Sequence, residues 1–213
     1  MTWRSHFIVI PAKAAGTLSI KCTGIHLLIW IPCQARNDKG KGHYPMTNTL
    51  YYTIFKTKLG WIGVLSSMAG LRAVTLPQNT QKQALNSLGE QAKQAVLSPE
   101  IFSNLTEKFQ DYYSGKKTIF THELDFSNAS AFQKQVWQAA RLIPYGETRS
   151  YGWIAKPIGK LKAARAVGQA LGKNPFLIVV PCHRVIAGDG TLGGFGGGLE
   201  MKKTLLELEK TGK

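Results

Sequence analysis

Apolar residues change period along this 213-residue chain, and the two periods come in a set order. Residues 50–55, 61–66 and 71–76 are short β-like runs, rich in Tyr, Ile, Phe, Trp and Val. Lys58-Leu59-Gly60 is a turn between the first two, and Pro77 stops the third. Residues 81–96 suit a helix. Ser98-Pro99-Glu100 starts another with Pro at N1, which would bury Ile101, Leu105 and Phe109 and end near Ser114-Gly115. Residues 119–124 are expected to close a sheet. Beyond them the spacing is helical: Phe132, Val136, Trp137 and Ala140 share one face behind caps in Ser127–Ser130. Pro144-Tyr145-Gly146 breaks that helix. Thr148 or Ser150 caps a short one ending at Lys156-Pro157, and residues 162–171 form the next, with Gly172 as C′ and Asn174-Pro175 as the stop. Residues 177–180 read as a buried strand. Residues 199–210 form a last helix with Met201, Leu205 and Leu208 inward. Strands first and helices afterwards make an α+β fold. The division expected is a mixed α/β domain over 46–125 and a mostly helical domain over 126–213. Residues 1–45, which sustain neither period, form an extension outside the fold.

Composition narrows the class. Hydrophobic residues at 44% and charged residues at 18% exclude a disordered or fibrous chain. Twenty-seven Lys and Arg against twelve Asp and Glu leave a net charge of +15, which points to a polyanionic partner. Cys22, Cys33 and Cys182 are odd in number and contain no C-x-x-C pair, which argues against a disulfide framework and for a reducing compartment. No apolar run reaches the ~18 residues of a membrane span, and the N-terminus lacks the pattern of a secretory signal. A cytoplasmic protein that does not engage membranes is expected. Cys22, His26, Cys33 and His43 have poor spacing for zinc, so no metal is expected.

Between Glu147 and Asp189 there is no acidic residue, while Arg149, Lys156, Lys160, Lys162, Arg165, Lys173 and Arg184 all fall there. A short helix, a turn and a second helix in a basic stretch outline a helix-turn-helix. The second helix has unusually small side chains: Ala163, Ala164, Ala166, Gly168 and Ala170, with Arg165 almost alone among them. Two readings stay open. It is either a tightly packed internal helix, or a surface that lets its backbone approach a minor groove or phosphate wall.

Pro181-Cys182-His183-Arg184-Val185 follows the apolar run 177–180. A lone cysteine there is either buried and inert or a thiolate nucleophile served by His183. This segment and the motifs around it resemble the methylated-DNA–protein-cysteine methyltransferases, the O6-alkylguanine-DNA alkyltransferases of direct DNA repair. The resemblance runs through Phe132-Gln133, Val136-Trp137, the segment from Ile143 to Thr148, and Ser150-Tyr151. It continues through the segment from Ala163 to Gly168, Asn174-Pro175, Pro181 to Val185, Gly197-Gly198-Leu199, and Lys203 to Glu209. It is dense over residues 126–210, holds only in outline over 46–125, and does not extend to 1–45.

The resemblance implies a ribonuclease H-like N-terminal domain and a winged-helix-like catalytic domain. The partner would be double-stranded DNA carrying O6-alkylguanine, with the protein acting as a monomer. The reaction would be a stoichiometric, irreversible transfer of a methyl or other alkyl group to Cys182, with O4 of thymine as a second target. No cofactor is implied, because the lesion itself is the donor. His183 would act as base toward Cys182 through a water, Glu209 would orient His183, and Asn174 would hold the active-site turn. Tyr151 would donate a hydrogen bond to the guanine. Arg165 would fill the stack after base flipping, while Ala164, Ala166 and Gly168 lie along the minor groove. Val185, Phe195 and Gly196 would contact substrate, Phe195 by stacking and Gly196 through its backbone N–H. Some members carry Tyr and Ser at the last two places, so Phe195 and Gly196 bear on which alkyl groups are accepted. Two other classes remain: a non-catalytic binder of alkylated bases, and a cysteine hydrolase using Cys182, His183 and Glu209.

Overall fold

A computed structural model describes residues 49–212 and, before them, the backbone of three short strands: β1 (Val9–Pro11), β2 (Leu18–Cys22) and β3 (Ile25–Ile29). These pair antiparallel in the order β1-β2-β3, although the sequence had no sustained alternation there. The chain divides into two compact units, Met1–Met46 and Thr47–Lys213. The expectation that 1–45 lie outside the fold concerns residues of which only these three strands are described, and the side chains of Cys22, His26, Cys33 and His43 fall outside the described residues.

Residues 50–126 supply the sheet. β4 (Tyr51–Thr57), β5 (Gly60–Ser67) and β6 (Gly70–Val74) form an antiparallel meander in which Thr57 pairs Gly60 across the first turn. Gly60 sits at φ +138 with the Gln78 carbonyl where a Cβ would go, so the turn needs glycine. The helix expected over 81–96 becomes two short helices, α1 (Gln81–Ser87) and α2 (Glu90–Lys93), because Gly89 at φ +81 breaks it. A Thr80–Gln83 capping box starts α1. β7 (Val96–Leu97) then pairs parallel with β4, giving the order β6-β5-β4-β7.

A 3₁₀ turn, Pro99–Phe102, leads into α3 (Ser103–Tyr113). Each 3₁₀ residue turns the chain further than an α-helical one, so the phase slips. Phe102 is buried, and Ile101, expected inside, is 58% exposed. Leu105, Phe109, Tyr112 and Tyr113 are buried, and each large side chain contributes roughly 1.5–3 kcal/mol of burial. The strand expected at 119–124 does not form. Its carbonyls are taken by side chains instead: Ile119 O by Lys108, Phe120 O and His122 O by Arg141. Only Leu124 bridges to Leu71.

The remaining residues are mostly helical. α4 (Ala131–Ala140) has a Ser130–Gln133 capping box and buries Val136, Trp137 and Ala140. β8 (Arg149–Ser150) runs into α5 (Tyr151–Ala155), whose Trp153 N–H is capped by the Ser150 hydroxyl. α6 (Ala164–Gly172) packs on α5 and α4 in the helix-turn-helix arrangement. Trp137 Nε1 donates to Ala170 O at 2.9 Å and ties α4 to α6. Gly172 is still helical and Lys173 takes the cap position, so Gly172 is not the left-handed C′ residue expected. Trp153 is 37% exposed beneath the Arg149 guanidinium at 5.6 Å. Residues 177–180 are not a strand: Ile178 sits at φ 72 in a buried turn between two bridged residues, Leu177 and Val180. A 3₁₀ turn (Cys182–Arg184) leads to β9 (Val185–Ile186), which pairs parallel with β8. α7 (Leu199–Thr211) closes the chain, with Leu205 buried and Met201 and Leu208 half-buried.

The sheet region and the helical region share one core, joined where Val74 N–H donates to Pro175 O at 2.8 Å. No helix among the described residues is long and apolar enough to cross a membrane.

Candidate active site and DNA interface

The segment between α6 and α7 is held by one amide. Asn174 is buried. Its Oδ1 accepts from Phe176 N–H at 2.9 Å, while its Nδ2 donates to Val180 O at 3.0 Å and to Cys182 Sγ at 3.3 Å. These bonds brace the strained turn at Ile178 and aim the thiol. Cys182 is 7% exposed, on the floor of a cavity of about 230 Å³ lined by Tyr151, Gly168, Leu171, Gly172, Gly194, Phe195 and Gly196. A second cavity of about 510 Å³, between the sheet end at Ala73–Gln78 and Leu177, also reaches Cys182. The sulfur is therefore sheltered and still reachable. Burial pushes its pKa up. Asn174, Lys202 and the backbone N–H groups of Cys182 and His183 pull the other way.

Behind the thiol lies a buried polar knot. His183 is fully buried and its Nε2 lies 2.7 Å from Glu209 Oε1. Arg184 grips the same carboxylate twice, Nε to Oε2 at 2.8 Å and Nη2 to Oε1 at 2.9 Å, and donates Nη1 to Ile143 O at 2.8 Å. Gly146 N–H adds a bond to Oε2 at 3.0 Å. Burial alone would raise the Glu209 carboxyl, but His183 and Arg184 outweigh it and bring it down to about 2. Burial lowers the His183 pKa and keeps the imidazole neutral, against the pull of Glu209. An ionised Glu209 facing a neutral imidazole places the ring hydrogen on Nε2. That leaves Nδ1 as an acceptor with no protein partner among the described residues.

Two functional candidates were missing from the sequence reading. Lys202 is fully buried on α7, donating to Val185 O at 2.6 Å, Leu192 O and Gly194 O at 3.4 Å. Burial lowers its pKa to about 8, with the Cys182 charge opposing. The signal was present, since Lys202 lies seven residues before Glu209 on the stripe that includes Leu205. The other is Tyr112, from α3. Its hydroxyl donates to Glu209 Oε1 at 2.7 Å and lies 3.2 Å from His183 Nε2.

The remaining predicted residues line the mouth or the outer surface. Tyr151 is half-buried at the start of α5, and burial raises its pKa. Gly193 lies against it at φ +64, where a Cβ would stand 2.7 Å from the phenol oxygen. Phe195 is half-buried and Gly196 exposed at the cavity rim. Ala164 and Arg165 are exposed on α6, and Ala166 and Gly168 are half-buried. Val185 is fully buried behind the thiol. Among the described residues, no group of three His, Cys, Asp or Glu side chains is placed to hold a metal ion.

A small sheet domain backing a helix-turn-helix domain, with a carboxylate–imidazole pair beside one sheltered cysteine, defines the class: a DNA-acting protein built around a single thiol. Residues 50–126 match the family model for the 6-O-methylguanine DNA methyltransferase ribonuclease-like domain, and residues 131–211 match that for the DNA-binding domain. A methylated-DNA–protein-cysteine methyltransferase of Methanosarcina acetivorans is 41% identical over 160 residues, 75% of this chain and 98% of that protein. One of Mycolicibacterium paratuberculosis is 55% identical over 113 residues, 53% of this chain and 68% of that protein. The crystal structure of Mycobacterium tuberculosis OGT in complex with DNA matches with a TM-score of 0.63 and 39% identity, covering 76% of this chain and 93% of that one. The chain belongs to the methylated-DNA–protein-cysteine methyltransferase family.

Proposed function

We propose that this protein repairs DNA by direct reversal, moving a methyl or other alkyl group from O6 of guanine irreversibly onto its own Cys182. What supports this reading is a sheltered sulfur on the floor of a cavity, in a turn whose next residue, His183, pairs with Glu209. It acts as a single-turnover methylated-DNA–[protein]-cysteine S-methyltransferase.

A duplex hides O6, so the nucleotide must leave the stack at a cost of a few kcal/mol. The small residues Ala164, Ala166 and Gly168 let α6 approach the minor groove, and exposed Arg165 fills the gap. The base enters between Tyr151 and Phe195, with Gly196 at the rim, while Val185, fully buried and outside the cavity lining, makes no side-chain contact with it. The Cys182 proton passes through a water to His183 Nδ1, which is neutral and able to take it. Sulfur then bonds to the alkyl carbon as the carbon–O6 bond breaks and its electron pair goes to the guanine. The Tyr151 phenol, kept protonated, donates to the base as this charge develops. In the balance the guanine gains the proton that Cys182 lost, and the thioether stays on the protein. A cytoplasmic site of action fits a cysteine that must stay reduced, and a monomer suffices because one chain holds every group used.

The test is incubation with duplex DNA bearing a labelled O6-methylguanine. Label transferred to protein, saturating at one methyl per molecule and lost in Cys182→Ala, is expected. Binding without transfer would mark a non-catalytic reader of alkylated bases. Repeated turnover of an acyl substrate would mark a hydrolase.

A further inference from the structure

We propose that Tyr112 is a positioning residue of the reaction: from the sheet domain it shares the Glu209 oxygen on which His183 leans, and so sets how readily His183 takes the Cys182 proton. The proposal rests on the function given above. Tyr112 is fully buried, and its phenol donates to Glu209 Oε1 at 2.7 Å, the atom that also accepts from His183 Nε2 at 2.7 Å. The phenol oxygen stands 3.2 Å from that same nitrogen, and the two rings meet edge to face, 6.4 Å between centroids. Glu209 Oε1 thus receives three donors, from Tyr112, His183 and Arg184, one more than its two lone pairs can serve at full strength, while Oε2 takes Arg184 and Gly146.

A carboxylate whose charge is divided among several donors pulls less on each. Removing the Tyr112 hydroxyl leaves more of that charge to His183 and stabilises the imidazolium. Burial keeps Tyr112 a neutral phenol, so it remains a donor at every working pH. The other charged or titratable groups around the pair are Arg184 and Cys182 on the turn, Lys202 on α7, Tyr145 after α4, and Tyr113 on α3. None of them is altered by Tyr112→Phe. Tyr113 is a built-in control, because its hydroxyl is equally buried and has no hydrogen-bond partner among the described residues.

The experiment is the pH dependence of single-turnover methyl transfer from duplex O6-methylguanine to the full-length protein, for wild type, Tyr112→Phe and Tyr113→Phe. Tyr112→Phe should still take one methyl per molecule. Its acid-side half-point should move up by roughly half to one pH unit, the scale of one lost hydrogen bond to a charged group. Tyr113→Phe should keep the wild-type half-point. The pH dependence of Cys182 alkylation by iodoacetamide, which needs no DNA, should move in the same direction. A Tyr112→Phe profile that is slower but unshifted would overturn the proposal and leave the hydroxyl a packing role. No transfer by the wild type would instead overturn the function itself.

Discussion

Glu209 holds the site together at the level of single residues. Five hydrogen bonds converge on its carboxylate from α3, the 143–146 turn and the Cys182–Arg184 turn, and two of them come from a buried guanidinium. Glu209→Ala would strand the Arg184 charge and is expected to destabilise the fold by ~3–5 kcal/mol, read as a lowered urea midpoint. The pH dependence has a definite sign. The folded Glu209 pKa, about 2, lies below its ordinary 4.5, so its stabilisation is complete above 4.5 and disappears as pH falls through about 2. His183 is also lowered from 6.5, so the unfolded chain binds its proton first and acid favours unfolding from there downward. Midpoints measured from neutral pH downward should therefore fall; a flat series would contradict the buried neutral imidazole. Asn174→Ala removes three bonds and leaves Phe176 N–H unpartnered, while Val180 O keeps the Cys182 N–H, for a loss of ~1–3 kcal/mol and a slower methyl transfer.

At the level of elements, the proposed DNA contact falls on α6. Arg165→Ala is expected to weaken repair in duplex DNA more than reaction with free O6-benzylguanine, since only the duplex has a gap to fill. Equal losses in the two assays would remove Arg165 from that role. The same helix shows what sequence can reveal. Its small side chains were legible, and so were the caps at Ser130 and Ser150, because these are local features with local causes. The hairpin of β4 and β5 was legible for the same reason. Failures came where a distant partner decides. Residues 119–124 look like a strand, yet Lys108 and Arg141 claim their carbonyls. Ile101 and Phe102 exchange places because a 3₁₀ turn shifts the phase. The motif named Cys182, His183, Asn174 and Glu209, and the fold bonds Asn174 to Cys182 and His183 to Glu209. Tyr112 meets Glu209 across 97 positions, which no local pattern encodes.

Across the whole molecule, the net charge of +15 should be felt mainly at the DNA surface. Each phosphate neutralised contributes about −0.9 to the slope of log affinity against log salt, so binding should weaken steeply between low and physiological salt. A shallow slope would place the basic residues elsewhere. The family match over residues 50–126 and 131–211 leaves the first 45 residues outside it. We propose that they are an extension, and a chain beginning at Met46 is expected to repair at the full-length rate. The most direct test of the central claim is intact mass and peptide mapping after reaction with excess O6-methylguanine duplex. A gain of one methyl per chain, confined to the peptide containing Cys182, is predicted. A methyl found on any other residue, or a reacted protein of unchanged mass beside repaired DNA, would contradict it.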